Sequence, residues 1–70
     1  MVNVYKTNIT HKNQALAMLG SLHQQFPGRS FNFDLEDCDK ILRVEGVNVN
    51  SEEIIKTLNL QGFCCDELQD

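Results

Sequence analysis

SFNFDLEDCDKILRVEG, residues 30–46, decides the fold. Phe31, Phe33 and Leu35 alternate with Asn32, Asp34 and Glu36, the period of two expected of a strand with one buried face. Glu36 to Lys40 is a polar interruption short enough for a hairpin loop. Ile41, Leu42 and Val44 then build the return strand. A strand followed by a helix precedes this hairpin, and a helix followed by a strand comes after it. The chain therefore reads β-α-(β-β)-α-β.

Working outward toward the N-terminus, Gly28 and Pro27 close a helix predicted from about His11 to Gln25. Its apolar stripe is Ala15, Leu16, Met18, Leu19, Leu22 and Phe26, spaced three to four residues apart. Gly20 within it suggests close packing on the sheet, since Gly costs about 1 kcal/mol relative to Ala there. Thr10 reads as the N-cap. Met1 to Thr7 form the first strand, with Val2 and Val4 toward the helices and Lys6 reaching out at the strand end.

Toward the C-terminus, Asn50 caps a second helix over about Ser51–Gln61, with Glu53 three residues on and Val49 and Ile54 as the flanking apolar pair. Ile54, Ile55 and Leu58 supply its buried side, and Gly62 is the C′ residue. Phe63 to Leu68 close the sheet, and Gln69-Asp70 are expected to fray. Phe33, Leu58 and Leu22 are the leading core residues.

Right-handed crossovers give a single domain over residues 1–70, an α+β ferredoxin-like βαββαβ sandwich. Its four-stranded antiparallel sheet has order 4-1-3-2, with both helices on one face. Strands 1 and 3 are the central neighbours, and a parallel pairing of Met1–Thr7 with Ile41–Glu45 is expected.

Composition narrows function by exclusion. Seventy residues leave little room for a deep enzyme cleft. A net charge of −4 argues against nucleic acid and against a polybasic membrane surface. MVNVYKTNIT lacks the apolar run of a signal peptide, and no stretch is long enough to span a membrane. Three cysteines, Cys38, Cys64 and Cys65, fit reduced thiols in the cytoplasm better than a disulfide scaffold. No Gly-rich phosphate loop, nucleophile–base pair or helical His pair is present, so no enzymatic activity is expected. The inward-pointing Phe31 and Phe33 leave only Tyr5 as a base-stacking aromatic, which an RNA-binding sheet would need in greater number.

FPGRSFNFDLEDCDKILRVEG followed by VNSEEIIKTLNLQGFCCDEL resembles the heavy-metal-associated domain of small copper chaperones and copper-pumping ATPases. The matching pieces are Gly28, the alternating strand ending in an acidic turn, Val44-x-Gly46, Glu52-Glu53-Ile54-Ile55 and Gly62-Phe63. The resemblance implies Cu(I) carriage by Gly-Met-Thr-Cys-x-x-Cys in the loop after strand 1. Threaded onto this chain, that motif falls on Asn8 to Gln14. Only Thr10 matches, and the two ligand cysteines are replaced by His11 and Gln14. Cu(I) takes thiolates, so the copper function is withdrawn with them. In the family the aromatic after the Gly packs near the metal loop, which would bring Phe63, and with it Cys64 and Cys65, toward His11.

Three readings follow. The first is a scaffold without the metal cysteines, a protein-interaction or regulatory module that needs no cofactor and acts as a monomer or weak dimer through its open sheet face or an edge. The second is a soft- or borderline-metal protein holding Cu(I) or Zn²⁺ with His11 and Cys64 or Cys65. A dimerising small-ligand regulatory domain is a third. Cys38 is expected to be exposed, sluggish between carboxylates and far from the other thiols. His23 is placed at the rim of the core, and the carboxylates of residues 34–39 on a solvated edge that discourages edge pairing.

Overall fold

A computed structural model describes residues 2–68 and gives the order β1 (Val2–Thr7), α1 (Lys12–Gln25), β2 (Ser30–Asp34), β3 (Ile41–Glu45), α2 (Ser51–Leu60) and β4 (Cys65–Leu68). The strands form one open sheet of order β2-β3-β1-β4. Read from the other edge, this is the predicted 4-1-3-2 and the βαββαβ order of the ferredoxin-like sandwich. Met1, Gln69 and Asp70 lie outside the described residues, and with them the expected fraying of the C-terminus.

Every pairing in the sheet is antiparallel, including β1 with β3, where Val2 opposes Glu45 and Lys6 opposes Ile41. The expected parallel pairing of these two strands is wrong. The crossover through α1 makes β1 parallel to β2. The hairpin then turns β3 against β2, so β3, lying between them, is antiparallel to both.

The choice of buried face on β1 is also the reverse of that expected. Tyr5 is fully buried and Thr7 nearly so, whereas Val2 is 53% exposed. Alternation defines two faces but not which is covered. Here a tertiary contact decides, because the Tyr5 hydroxyl shares a 2.9 Å hydrogen bond with Ser51 Oγ in the first turn of α2. A buried tyrosine needs such a partner. Tyr5 joins Leu42, Val44, Phe31 and Cys65 on the helix side of the sheet. Ala15, Met18 and Leu22 of α1 and Ile54 and Leu58 of α2 close the core from above. Leu22 and Leu58 are core residues as predicted, each with no exposed surface. Phe33 is only partly buried, and Phe31 takes its place at 4% exposure. Phe31 lies under the end of α1, where the rings of His23 and Phe26 sit 5.3 and 6.3 Å from its own.

The helix ends follow local chemistry. Asn50 Oδ1 accepts the Glu53 N–H at 3.3 Å, the cap read from sequence. At the other end of α2 the Phe63 N–H donates to the Leu58 carbonyl and the Gly62 N–H to that of Asn59. With Gly62 at φ +90°, this is the paired closure that favours glycine at C′. On α1 the N-cap is His11, not Thr10, and the Gln14 side chain accepts the His11 N–H at 3.4 Å. Leu16, placed in the apolar stripe, is 56% exposed. Gly20 is exposed as well, and a Cβ there would meet nothing within 4 Å, so close packing on the sheet does not explain it. Gly46 does carry a packing role. Its φ is +156°, and a Cβ would lie 2.8 Å from Arg29 Cγ. Arg29 in turn donates to the Asn48 carbonyl at 3.3 Å, tying the start of β2 to the β3–α2 loop.

Candidate functional site

The loop from Asn8 to His11, where the family resemblance would place a metal, is built as a structural joint. Ile9 is fully buried in the core. Its N–H donates to Thr7 Oγ1 at 3.3 Å, and Thr7 Oγ1 donates to the Lys40 carbonyl at 2.6 Å. Asn8 Oδ1 accepts the Cys64 N–H at 2.9 Å, fastening the approach to β4 beside the end of β1. His11 and Gln14 close the first turn of α1 on each other. Each position of the threaded motif from Asn8 onward that a ligand would need is thus occupied by a capping, pinning or core-filling residue.

Thr7 opposes Cys65 across β1 and β4, and the Thr7 N–H reaches the carbonyls of Asp39 and Lys40 at 3.2 Å. The hairpin loop carrying Cys38 therefore borders the same end of the sheet as Cys64 and Cys65. Cys38 is exposed, as expected. The strand begins at Cys65, later than the predicted Phe63, because the helix closure at Gly62 and Phe63 uses the preceding residues.

Cys65 points into the core at 5% exposure, and burial pushes its thiol up to about 12, with Asp66 and Glu67 adding to the effect. A thiol held protonated is a poor metal ligand and a poor nucleophile. Cys64 is exposed, and so is His11. Neither belongs with Cys65 to a converging set. The three metal-capable side chains that do converge among the described residues are Asp37, Cys38 and Asp39, with ligand atoms within 4.8 Å of one another. That arrangement was legible only as an Asp-Cys-Asp triplet. The turn itself accounts for it, since Asp37 Oδ1 accepts the Asp39 N–H at 2.8 Å and Asp39 faces Lys6 at 3.9 Å.

Burial also raises the Tyr5 hydroxyl, an effect the Ser51 hydrogen bond partly offsets. Both raised groups bind their protons more tightly folded than unfolded. The stability they contribute is complete below about pH 9 and falls as pH rises toward about 12, where Cys65 ionises even in the folded state. Thermal melts should therefore shift downward through this alkaline window, and Cys65→Ala should flatten the shift. A disulfide reagent at neutral pH should reach Cys38 and Cys64 in the folded protein and Cys65 only after denaturation.

Two shallow grooves flank the helices, each of about 350 Å³. One holds Phe63 and Met18 beneath the carboxamides of Asn13, Gln14 and Gln61. The other runs between Phe26 and Leu60, with Glu53 and Lys56 at its rim. Neither contains converging acid, base and nucleophile. Among the described residues no helix packs on the opposite face of the sheet, although Ile41 there, opposite Lys6 and Asp34, is only 5% exposed. Val4 pairs with Leu68 across β1 and β4, and Val2 lies two residues along, giving an aliphatic patch that is 53% exposed at Val2 and 40% at Leu68. Lys6, Arg43, Glu45 and Asp66 share that face with it. No helix of the described chain is long and apolar enough to cross a membrane. Comparison with protein-family models, with curated proteins and with solved structures finds no match. The fold thus defines the class, a small α+β domain with both helices on one face of a four-stranded antiparallel sheet.

Proposed function

We propose that this domain is a non-catalytic protein-interaction module, built on a heavy-metal-associated type of scaffold whose metal loop has become structural. The observation that supports it best is the sheet face away from the helices, where Val2, Val4 and Leu68 form an aliphatic patch at one end. Val2 and Leu68 lie on the side of the sheet away from the helices and stay exposed there. Patches of this kind, with polar neighbours, mark interaction surfaces. The fitting partner is a protein segment presenting aliphatic side chains between charges of both signs, which would meet Lys6, Arg43, Glu45 and Asp66. The loop chemistry supports the same reading, because His11, Gln14 and Asn8 are committed to caps and pins and Cys65 holds its proton.

The test is site-specific photocrosslinking in cells, with the photoreactive residue placed in turn at Val2, Leu68 and the exposed Asn59 of α2. Discrete protein adducts are expected from the two sheet positions and not from Asn59 on the helix side. Adducts that are equal at all three positions, or none at the sheet positions, would refute the reading.

A further inference from the structure

The outer edge of β2 is a second surface, distinct from the sheet face. Ser30–Asp34 pairs with β3 on one side only, and no described residue pairs with its other side. An unpaired strand edge is a template for another strand unless it is protected. The other edge, β4, is protected against its own copy. It is four residues long, and antiparallel self-pairing would set Asp66 opposite Glu67.

β2 has the opposite property. Antiparallel pairing with a second β2 about Asn32 opposes Ser30 to Asp34, Phe31 to Phe33 and Asn32 to itself. No like charges meet, two aromatic pairs form on the helix side, and a carboxamide pair sits on the two-fold axis. Continued one step, the same register brings Leu35 opposite Arg29. The exposed Glu36 carboxylate then lies beside the Arg29 end of the other copy. The acidic loop guards against shifted registers, which would bring Asp34 toward its own copy, but not against this one.

The helix above the edge is consistent with the same neighbour. The His23 ring packs on Phe31 at 5.3 Å, so that side of α1 overhangs β2. Leu16 lies seven residues earlier, two turns along the same side. It is 56% exposed, and Gly20 between them has open space where a Cβ would be. Because α1 runs opposite to β2, Leu16 stands above the Phe33–Leu35 end. In the two-fold arrangement it faces the other copy's His23, and Gly20 lets the two helices approach.

We infer that β2, with the Leu16 flank of α1, is the self-association surface of this protein, pairing two copies into a continuous eight-stranded sheet. The occupant is a second copy of this chain. One five-residue strand and one helix flank form a small interface, so the dimer is weak and reversible. It leaves the sheet face away from the helices free, and the inference does not depend on the partner proposed there.

Sedimentation velocity over a concentration series to about 1 mM tests it. Wild-type protein should show a reversible monomer–dimer equilibrium. Ser30→Asp places a carboxylate opposite Asp34 twice per dimer and should raise the dissociation constant at least about tenfold. Ser30→Lys should lower it, and Leu16→Glu should weaken the dimer independently. Both positions are exposed, so unchanged circular dichroism spectra are expected. A protein that stays monomeric throughout the series would overturn the inference. So would a dimer indifferent to Ser30→Asp and Leu16→Glu, or one abolished instead by Leu68→Glu on the sheet face.

Discussion

Phe31→Ala should cost about 3–5 kcal/mol in chemical denaturation, and Phe33→Ala clearly less. The two phenylalanines share a strand and a face, so the difference lies in what stands over each. Phe31 is 4% exposed beneath Phe26 and His23, and its removal opens a cavity that α1 cannot collapse to fill without shifting. Phe33 stands nearer the open end of the edge strand, where solvent already reaches it. Leu58→Ala should fall with Phe31→Ala, at about 2–5 kcal/mol, since Leu58 has no exposed surface. Against the roughly 5 kcal/mol expected at the lower end for a domain, either loss leaves a large fraction unfolded at ordinary temperature. Equal losses at Phe31 and Phe33 would mean that the edge of β2 is covered in solution. The dimer proposed above predicts that outcome only at concentrations where it is populated, so dilute measurements keep the two questions separate.

This pair also shows what the sequence could carry. Alternation over residues 31–35 identified a strand and its inward face, because the period is local. Ranking Phe31 above Phe33 needs the position of the end of α1, which no local pattern encodes. Tyr5 is the same case. Val2 and Val4 looked like the inward pair by hydrophobicity, yet Ser51 lies 46 residues away and gives the Tyr5 hydroxyl the partner that makes its burial possible. The cap at Asn50 was legible, since its side chain is among the residues that accept from the first turn. The cap at His11 was not, because the bond there comes from the Gln14 side chain. Strand order was legible from crossover rules, while strand direction required following the chain through each turn. Of the candidate site, the absence of a Cys-x-x-Cys pair between β1 and α1 was plain. The duties taken up by Asn8 and Ile9 were hidden, because both depend on contacts with β3, β4 and the core.

Replacing His11 and Gln14 together by cysteine should give the chain saturable binding of one Cu(I). The cleanest background carries Cys38→Ser and Cys64→Ser, so that the grafted pair supplies the accessible thiolates. Residue 11 is the N-cap and residue 14 lies in the first turn, close enough that the Gln14 side chain accepts the backbone N–H of residue 11 at 3.4 Å. Thiols there would ionise readily, because the free N–H groups and the helix dipole favour negative charge. Cu(I) is soft and takes sulfur, so the pair meets its preference where imidazole and carboxamide do not. Little stability should be lost, since the hydrogen bond removed is exposed. Competition against a chromophoric Cu(I) chelator under reducing conditions measures the gain. In the wild-type chain His11→Ala should leave the response to Cu(I) and Zn²⁺ unchanged. Tight wild-type binding that disappears with His11→Ala or Cys64→Ser would instead make metal binding the function, through ligands from the α1 start and the approach to β4. A graft that folds yet binds no copper would sever the resemblance to the heavy-metal-associated scaffold. The interaction reading would then rest on the sheet face alone.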